Sequence, residues 1–133
     1  MAPLASGARH SMARVLVIED EPAVRHLIGR TLLESGHEVI EAGTARAGLE
    51  AARSLQVEMV ITDVCLAGSD GIEVMREVRR SYPEVPLIAV SGRDRRELEA
   101  RLEAAQLRRS VWVVMKPFWR EELLGAVREA LGR

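Results

Sequence analysis

The chain has 133 residues, 47% of them hydrophobic, with no repeat or low-complexity tract, so it fits one compact domain and leaves no room for a second. Nineteen Lys and Arg stand against twenty Asp and Glu, a formal charge of −1, and neither sign gathers into a block that would mark a nucleic-acid or membrane surface. The lone Cys65 excludes an internal disulfide, no apolar run approaches ~18 residues, and the N-terminus lacks a signal-peptide stretch, which makes a bacterial-type cytoplasm the default compartment.

Residues 1–12 contain Ala, Pro, Ser and Gly with neither helical nor strand period, and read as a flexible leader or extension ahead of a domain over residues 13–133. Arg14 to Ile18 is a short apolar run closed by Glu19-Asp20-Glu21. Pro22 then suits the first position of a helix carrying Val24, Leu27, Ile28, Leu32 and Leu33. Gly36 is a natural stop, Val39 and Ile40 mark a second strand, and Thr44 can cap a helix with Ala47, Leu49, Ala51, Ala52 and Leu55. Val57, Met59, Val60 and Ile61 form a third strand that ends at Asp63. After turn chemistry at Ala67-Gly68-Ser69-Asp70-Gly71, a helix follows with Ile72, Val74, Met75 and Val78.

Pro86 to Val90 gives a fourth strand ending in Ser91-Gly92, and Asp94 with Glu97 resembles a capping box for a heavily charged helix. The apolar marks of that helix are Leu98, Leu102 and Ala105, which predicts shallow burial. Val111 to Met115 is the fifth strand, ending in Lys116-Pro117. The last helix carries Leu123, Leu124, Val127 and Leu131, with Glu121 and Glu122 early and Arg128 late, as the helix dipole prefers.

Five strands alternating with five helices at this spacing predict right-handed crossovers and a parallel sheet covered on both faces. The fold class is α/β, a doubly wound five-stranded sandwich. In the flavodoxin-like order 2-1-3-4-5 the first and third strands are neighbours at the switch point, where ligands bind outside the carboxyl ends of the strands. The acidic ends Glu19-Asp20 and Asp63 then meet in one crevice, with Ser91 and Lys116 on the adjoining strands.

The segments VLVIEDEP, ITDVCLAGSDG, PLIAVSG and MKPF occur in order, with 43 residues from Asp20 to Asp63, 28 more to Ser91 and 25 more to Lys116. Together they resemble the signature segments of the receiver domain of two-component response regulators, a resemblance that covers Ala13 to the C-terminus. It implies that Asp63 accepts a phosphoryl group from a kinase phosphohistidine. It also implies that Mg²⁺ is held by Glu19, Asp20, Asp63 and the Cys65 main-chain carbonyl, and that the Lys116-Pro117 bond is cis. The implied partners are a sensor histidine kinase or phosphotransfer protein and a downstream protein effector. Nucleic acid, membrane and any oligomer beyond a weak homodimer are not expected. The domain is expected to assist its own phosphorylation and dephosphorylation rather than act as an enzyme on a separate substrate.

The chemistry supports the same reading. Carboxylates at roughly 4 Å repel by about 4 kcal/mol at an effective dielectric near 20, so Glu19, Asp20 and Asp63 in one crevice want a cation. Hard oxygen ligands suit Mg²⁺, and a carboxylate can serve as the nucleophile that forms an aspartyl phosphate. Lys116 and the Ser91 hydroxyl suit phosphoryl oxygens. Taken singly, Asp63 is loop-end charge, Ser91 a turn hydroxyl and Lys116 a solvated cation; convergence at one sheet edge is what argues for function. Asp70 reads as a turn and cap residue. His10, His26 and His37 lack ligand-like spacing, and Trp112 and Trp119 read as core or interface residues.

Three positions depart from the family pattern. Glu19 replaces the commoner Asp, Ala67 stands where Pro is usual, and Val113 stands where an aromatic switch residue is frequent. Two other function classes compete with the phosphoacceptor. One is a phosphorylation-independent pseudo-receiver used as a docking scaffold, against which Asp20, Asp63, Ser91 and Lys116 argue. The other is a Mg²⁺-dependent phosphatase, against which the lack of substrate-pocket or cap residues argues.

Overall fold

The structure, a computed structural model, describes residues 12–132. Strands β1 (Arg14–Ile18), β2 (Glu38–Ala42), β3 (Met59–Asp63), β4 (Leu87–Ser91) and β5 (Val111–Met115) pair in parallel in the order β2-β1-β3-β4-β5. Helices α1 (Pro22–Glu34), α2 (Ala45–Ser54), α3 (Gly71–Ser81), α4 (Arg95–Ala104) and α5 (Arg120–Leu131) alternate with them. This is the flavodoxin-like α/β sandwich expected from the sequence. The leader expected over residues 1–12 lies, except for Met12, outside the described residues. Among the described residues no helix is long and apolar enough to cross a membrane.

Alternate strand residues point to opposite faces, so each strand feeds two cores. Leu16, Ile18, Val60, Leu87 and Ala89 pack with Ala52 of α2, with Ile72, Met75 and Val78 of α3, and with Leu98 and Leu102 of α4. Val15, Val17, Met59, Ile61, Ile88, Val90 and Val114 pack with Ile28 and Leu32 of α1 and with Leu123, Val127 and Ala130 of α5. Residues of β3 and β4 are buried throughout. That explains their unbroken apolar runs, since each large aliphatic side chain withdrawn from water contributes roughly 1.5–3 kcal/mol.

Helix starts follow their sequence signals. Thr44 Oγ1 accepts from the Ala47 N–H, Asp70 Oδ1 from the Ile72 N–H, and Asp94 Oδ1 from the Arg96 and Glu97 N–H groups. The apolar periodicity is broader than the buried stripe: Leu27 is 56% exposed, Leu33 57% and Leu55 44%. Val57 precedes β3 rather than starting it, and Ala105 lies just beyond α4. Trp112 is half-buried against the α1 and α5 side, whereas Trp119 is 76% exposed and is not a core residue.

Opposite the carboxyl ends of the strands, Arg79 fastens the loops that enter β4 and β5. Its Nη1 donates to the carbonyls of Pro83 and Val85, and its Nη2 to that of Ser110. Burial lowers its pKa from the ordinary value.

Candidate functional site at the carboxyl edge of the sheet

The polar residues that end β1, β3, β4 and β5 converge because the strands are parallel and in register. Ile18 pairs with Thr62, Asp63 with Val90, and Ser91 with Met115. The residues after Ile18, Thr62, Val90 and Met115 are polar; Lys116 Nζ reaches both Glu19 and Asp63, and Ser91 ends the neighbouring β4. Ligand atoms of Glu19, Asp20 and Asp63 all lie within 4.8 Å of one another.

Each acid is held by its own local structure. Glu19 and Asp63 are buried, with only 1% and 5% of their surface exposed, and Asp20 is half-buried. Asp63 Oδ1 accepts from the Cys65 N–H at 2.9 Å, while Glu19 Oε2 accepts from the Glu21 N–H at 3.2 Å. Asp20 Oδ2 accepts from the Ala67 N–H at 2.9 Å, so the loop after β3 reaches back across the sheet to fix it. That loop is a tight antiparallel pair, Cys65–Leu66 against Ser69–Asp70. It closes onto Gly71, whose N–H donates to the Val64 carbonyl. A Cβ at Gly71 would run into the Asp63 carbonyl, so only glycine allows the turn to press against the acid.

Lys116 supplies the counter-charge. Its Nζ donates to Asp63 Oδ2 at 2.9 Å and lies 3.1 Å from Glu19 Oε1. The Lys116-Pro117 bond is cis, as the sequence resemblance implies, and the Lys116 N–H donates to the Ser91 carbonyl at 2.7 Å. Burial alone would lower the Lys116 pKa, but the Asp63 and Glu19 carboxylates more than offset this and hold it above its ordinary value. Burial, with Asp63 beside it, pushes Glu19 the other way for an acid, up to about 7. One ammonium therefore does not compensate three carboxylates.

The residues fit a divalent cation. Glu19 Oε1 is buried and accepts no well-aligned hydrogen bond, although Lys116 is near. The three carboxylates form the hard oxygen set that Mg²⁺ prefers. Cys65 exposes its thiol, while its peptide N–H is tied to Asp63, which sets the main chain beside the acids. Ser91 is buried at the end of β4, where its Oγ accepts from the Arg93 N–H at 3.0 Å.

Sequence reasoning brings Glu19, Asp20, Asp63, Ser91 and Lys116 to one edge, and the structure places them there. It misses Arg25, whose Nη1 donates to the Glu19 carbonyl at 2.9 Å, and the Ala67 N–H that steadies Asp20. Arg25 stands next to His26 on the first turns of α1, and nothing in that pair names the Glu19 carbonyl as its partner. A main-chain donor leaves no signal in side-chain chemistry.

Comparison with known proteins agrees with this geometry. The family description "Response regulator receiver domain" matches residues 15–128. The response regulator protein FleR of Pseudomonas aeruginosa is 34% identical over 91% of this chain, which covers 25% of FleR. The KDP operon transcriptional regulatory protein KdpE of Escherichia coli is 35% identical over 92% of this chain, covering 52% of KdpE. The chain thus spans about a quarter to a half the length of these curated relatives. Among solved structures, the chemotaxis protein CheY4 of Vibrio cholerae superposes with a TM-score of 0.82 at 26% identity, over 90% of this chain and 98% of that one. The receiver domain of NtrX from Brucella abortus gives 0.79 at 30%, over 89% and 98%. By sequence, fold and the placement of its polar strand ends, the chain belongs to the response regulator receiver domain family of two-component phosphorelay signalling.

Proposed function

We propose that Asp63 accepts a phosphoryl group from the phosphohistidine of a sensor kinase or phosphotransfer protein, in a Mg²⁺-dependent step, and that the modified domain is read by a downstream protein. The observation that supports this most is the Lys116 ammonium set between Asp63 Oδ2 and Glu19 Oε1 beside three clustered carboxylates. The transfer breaks the P–N bond of the phosphohistidine and forms a P–O bond to the Asp63 carboxylate. The leaving imidazole takes a proton from water. Glu19, Asp20, Asp63 and the Cys65 main-chain carbonyl are the groups that would hold Mg²⁺. When bound, the metal would compensate charge on the phosphoryl oxygens.

The remaining work falls to the chain itself. The Cys65 N–H holds Asp63 Oδ1 in a fixed orientation, so the carboxylate does not have to be immobilised during the reaction. Lys116, already charged and confined, can pair with one phosphoryl oxygen as the Asp63 carboxylate gives up its charge in forming the acyl phosphate. The Ser91 hydroxyl can donate to another. A receiver domain is a signalling module rather than a member of a separate enzyme family, and these groups would assist both its own phosphorylation and its own dephosphorylation.

Acetyl phosphate or a histidine kinase with Mg²⁺ tests the reading by intact mass. Wild type should gain one phosphoryl group and Asp63→Asn none. A phosphorylated Asp63→Asn would remove Asp63 as the acceptor. A wild type that stays unlabelled with several donors would favour the docking-scaffold alternative.

A further inference from the structure

Glu19, the residue after β1, is gripped from three places: the end of β2, helix α1 and the turn between β1 and α1. Its N–H donates to the Ala42 carbonyl at the end of β2, and its carbonyl accepts from Arg25 Nη1 at 2.9 Å. Its Oε2 accepts from the Glu21 N–H. Arg25 is itself fastened: its Nε lies 3.3 Å from Glu41 Oε1 on β2, an oxygen that also lies 2.9 Å from His26 Nδ1. The guanidinium crosses close over Gly43, where an added Cβ would stand 3.0 Å from Nη1.

We propose that Arg25 is a positioning residue for the acidic pocket, fixing the Glu19 peptide so that its carboxylate is aimed at a divalent cation. The proposal rests on the reading of this pocket as a Mg²⁺ site. Glu19 has one more rotatable bond than an aspartate, so its carboxylate is aimed only if its main chain is held. A competing effect must be weighed, because a guanidinium near acids repels a second cation. Here the Arg25 charge is paired with Glu41 and turned onto a carbonyl, which mutes the repulsion and leaves orientation dominant. Groups that orient metal ligands from behind typically change metal affinity by about 10- to 100-fold when removed.

Calorimetric titration of Mg²⁺ into wild type and variants at fixed pH and ionic strength tests this, with melting in EDTA as the check on folding. Arg25→Met should weaken Mg²⁺ by about tenfold or more, the opposite sign from simple charge repulsion. Arg25→Lys keeps the charge but cannot span the Glu19 carbonyl and Glu41 together, so it should recover less than half of that loss on a logarithmic scale. Gly43→Ala changes no charge and pushes only on the guanidinium; it should weaken Mg²⁺ severalfold. Unchanged or tighter binding by Arg25→Met, or full recovery by Arg25→Lys, would overturn the proposal. Should Arg25→Met fail to fold, an unchanged affinity in Gly43→Ala would overturn it instead. A wild type that binds no Mg²⁺ would remove the metal reading itself, an outcome distinct from the others.

Discussion

Asp70 of the loop after β3 and Arg101 of α4 are joined through a single nitrogen: Arg101 Nη2 donates to both carboxylate oxygens of Asp70, each at 2.8 Å. Asp70 Oδ1 also accepts from the Ile72 N–H, so one side chain both caps α3 and ties α3 to α4. The loop it belongs to presses on Asp63 through Gly71, which makes this ion pair one polar link between the acidic site and α4.

The two roles of Asp70 separate by substitution. Asp70→Ala removes cap and ion pair, and should cost about 1–2 kcal/mol, most of it from the cap. Asp70→Asn keeps an oxygen for the Ile72 N–H and loses only a partly exposed pair, worth under about 1 kcal/mol. Urea unfolding of both variants checks this. Equal losses would mean that the cap contributes little.

How much of this is legible in the sequence depends on the physics of each feature. Strand ends are legible because a parallel strand covered on both faces carries no charge along its buried run, so the first charged residue after Ile18 or Thr62 marks the edge. The caps at Thr44, Asp70 and Asp94 are legible because their partners lie two or three residues away. The Asp70–Arg101 pair is not, because its partners are 31 residues apart and meet only through the packing of α3 and α4. Leu27, Leu33 and Leu55 mislead for a different reason. Helical spacing names an apolar stripe, while the sheet covers only its centre, and residues on the flank stay in water.

Metal-free stability should respond to the acidic cluster. Asp20→Asn keeps an oxygen for the Ala67 N–H and removes one of the three clustered negative charges. We expect about 1 kcal/mol of stabilisation in EDTA, or about 3–5 °C in Tm for a domain of this size. Asp63→Asn should gain less, because it also weakens the hydrogen bond from Lys116 Nζ. Mg²⁺ at about ten times its Kd should stabilise wild type by about 1.4 kcal/mol and Asp20→Asn by clearly less. A wild-type melting curve unmoved by millimolar Mg²⁺ would count against the metal site.

His37 gives a pH dependence away from the site. It is buried, its Nδ1 accepts from the Ala13 N–H at 3.1 Å, and burial lowers its pKa. Protonation would set an N–H against an N–H. A lowered folded pKa means that the unfolded chain binds the proton first, so the His37 contribution is present above about pH 6.5 and is lost as pH falls below it. Glu19, raised to about 7, works in the opposite direction without metal. The measurement is therefore the difference between wild type and His37→Gln in urea midpoint at pH 8, 6.5 and 5, where Glu19 cancels. Wild type should lose its advantage on acidification. A difference independent of pH would show that His37 does not titrate in this range.

The final prediction concerns how phosphorylation would be reported. Val113 is half-buried and packs toward the side that carries α4, whereas Trp112 packs on the opposite face and its Nε1 donates to Glu129 Oε1. Trp112 therefore cannot supply the lever that a larger residue at 113 would provide. On the α4 side, Leu98 and Leu102 are the buried residues of the helix, and its outer face carries exposed pairs such as Arg93–Glu97 and Arg95–Glu99 that contribute little. Val64 and Ser91 at the ends of β3 and β4 adjoin Leu98 and Arg101 of this helix around a hollow too small for a water. Only two buried apolar anchors hold α4 down, so it can shift at modest cost, and the Asp70–Arg101 tie gives the loop beside Asp63 a direct hold on it. Movement of Ser91 toward a phosphoryl group would alter the Arg93 N–H contact at the start of the same segment. Hydrogen exchange with and without beryllofluoride should then change protection across residues 92–107. In Arg101→Ala that change should shrink while protection around Asp63 still responds. If protection changed only around Asp63 in wild type, with α4 unaltered, the helix would not be the reporter.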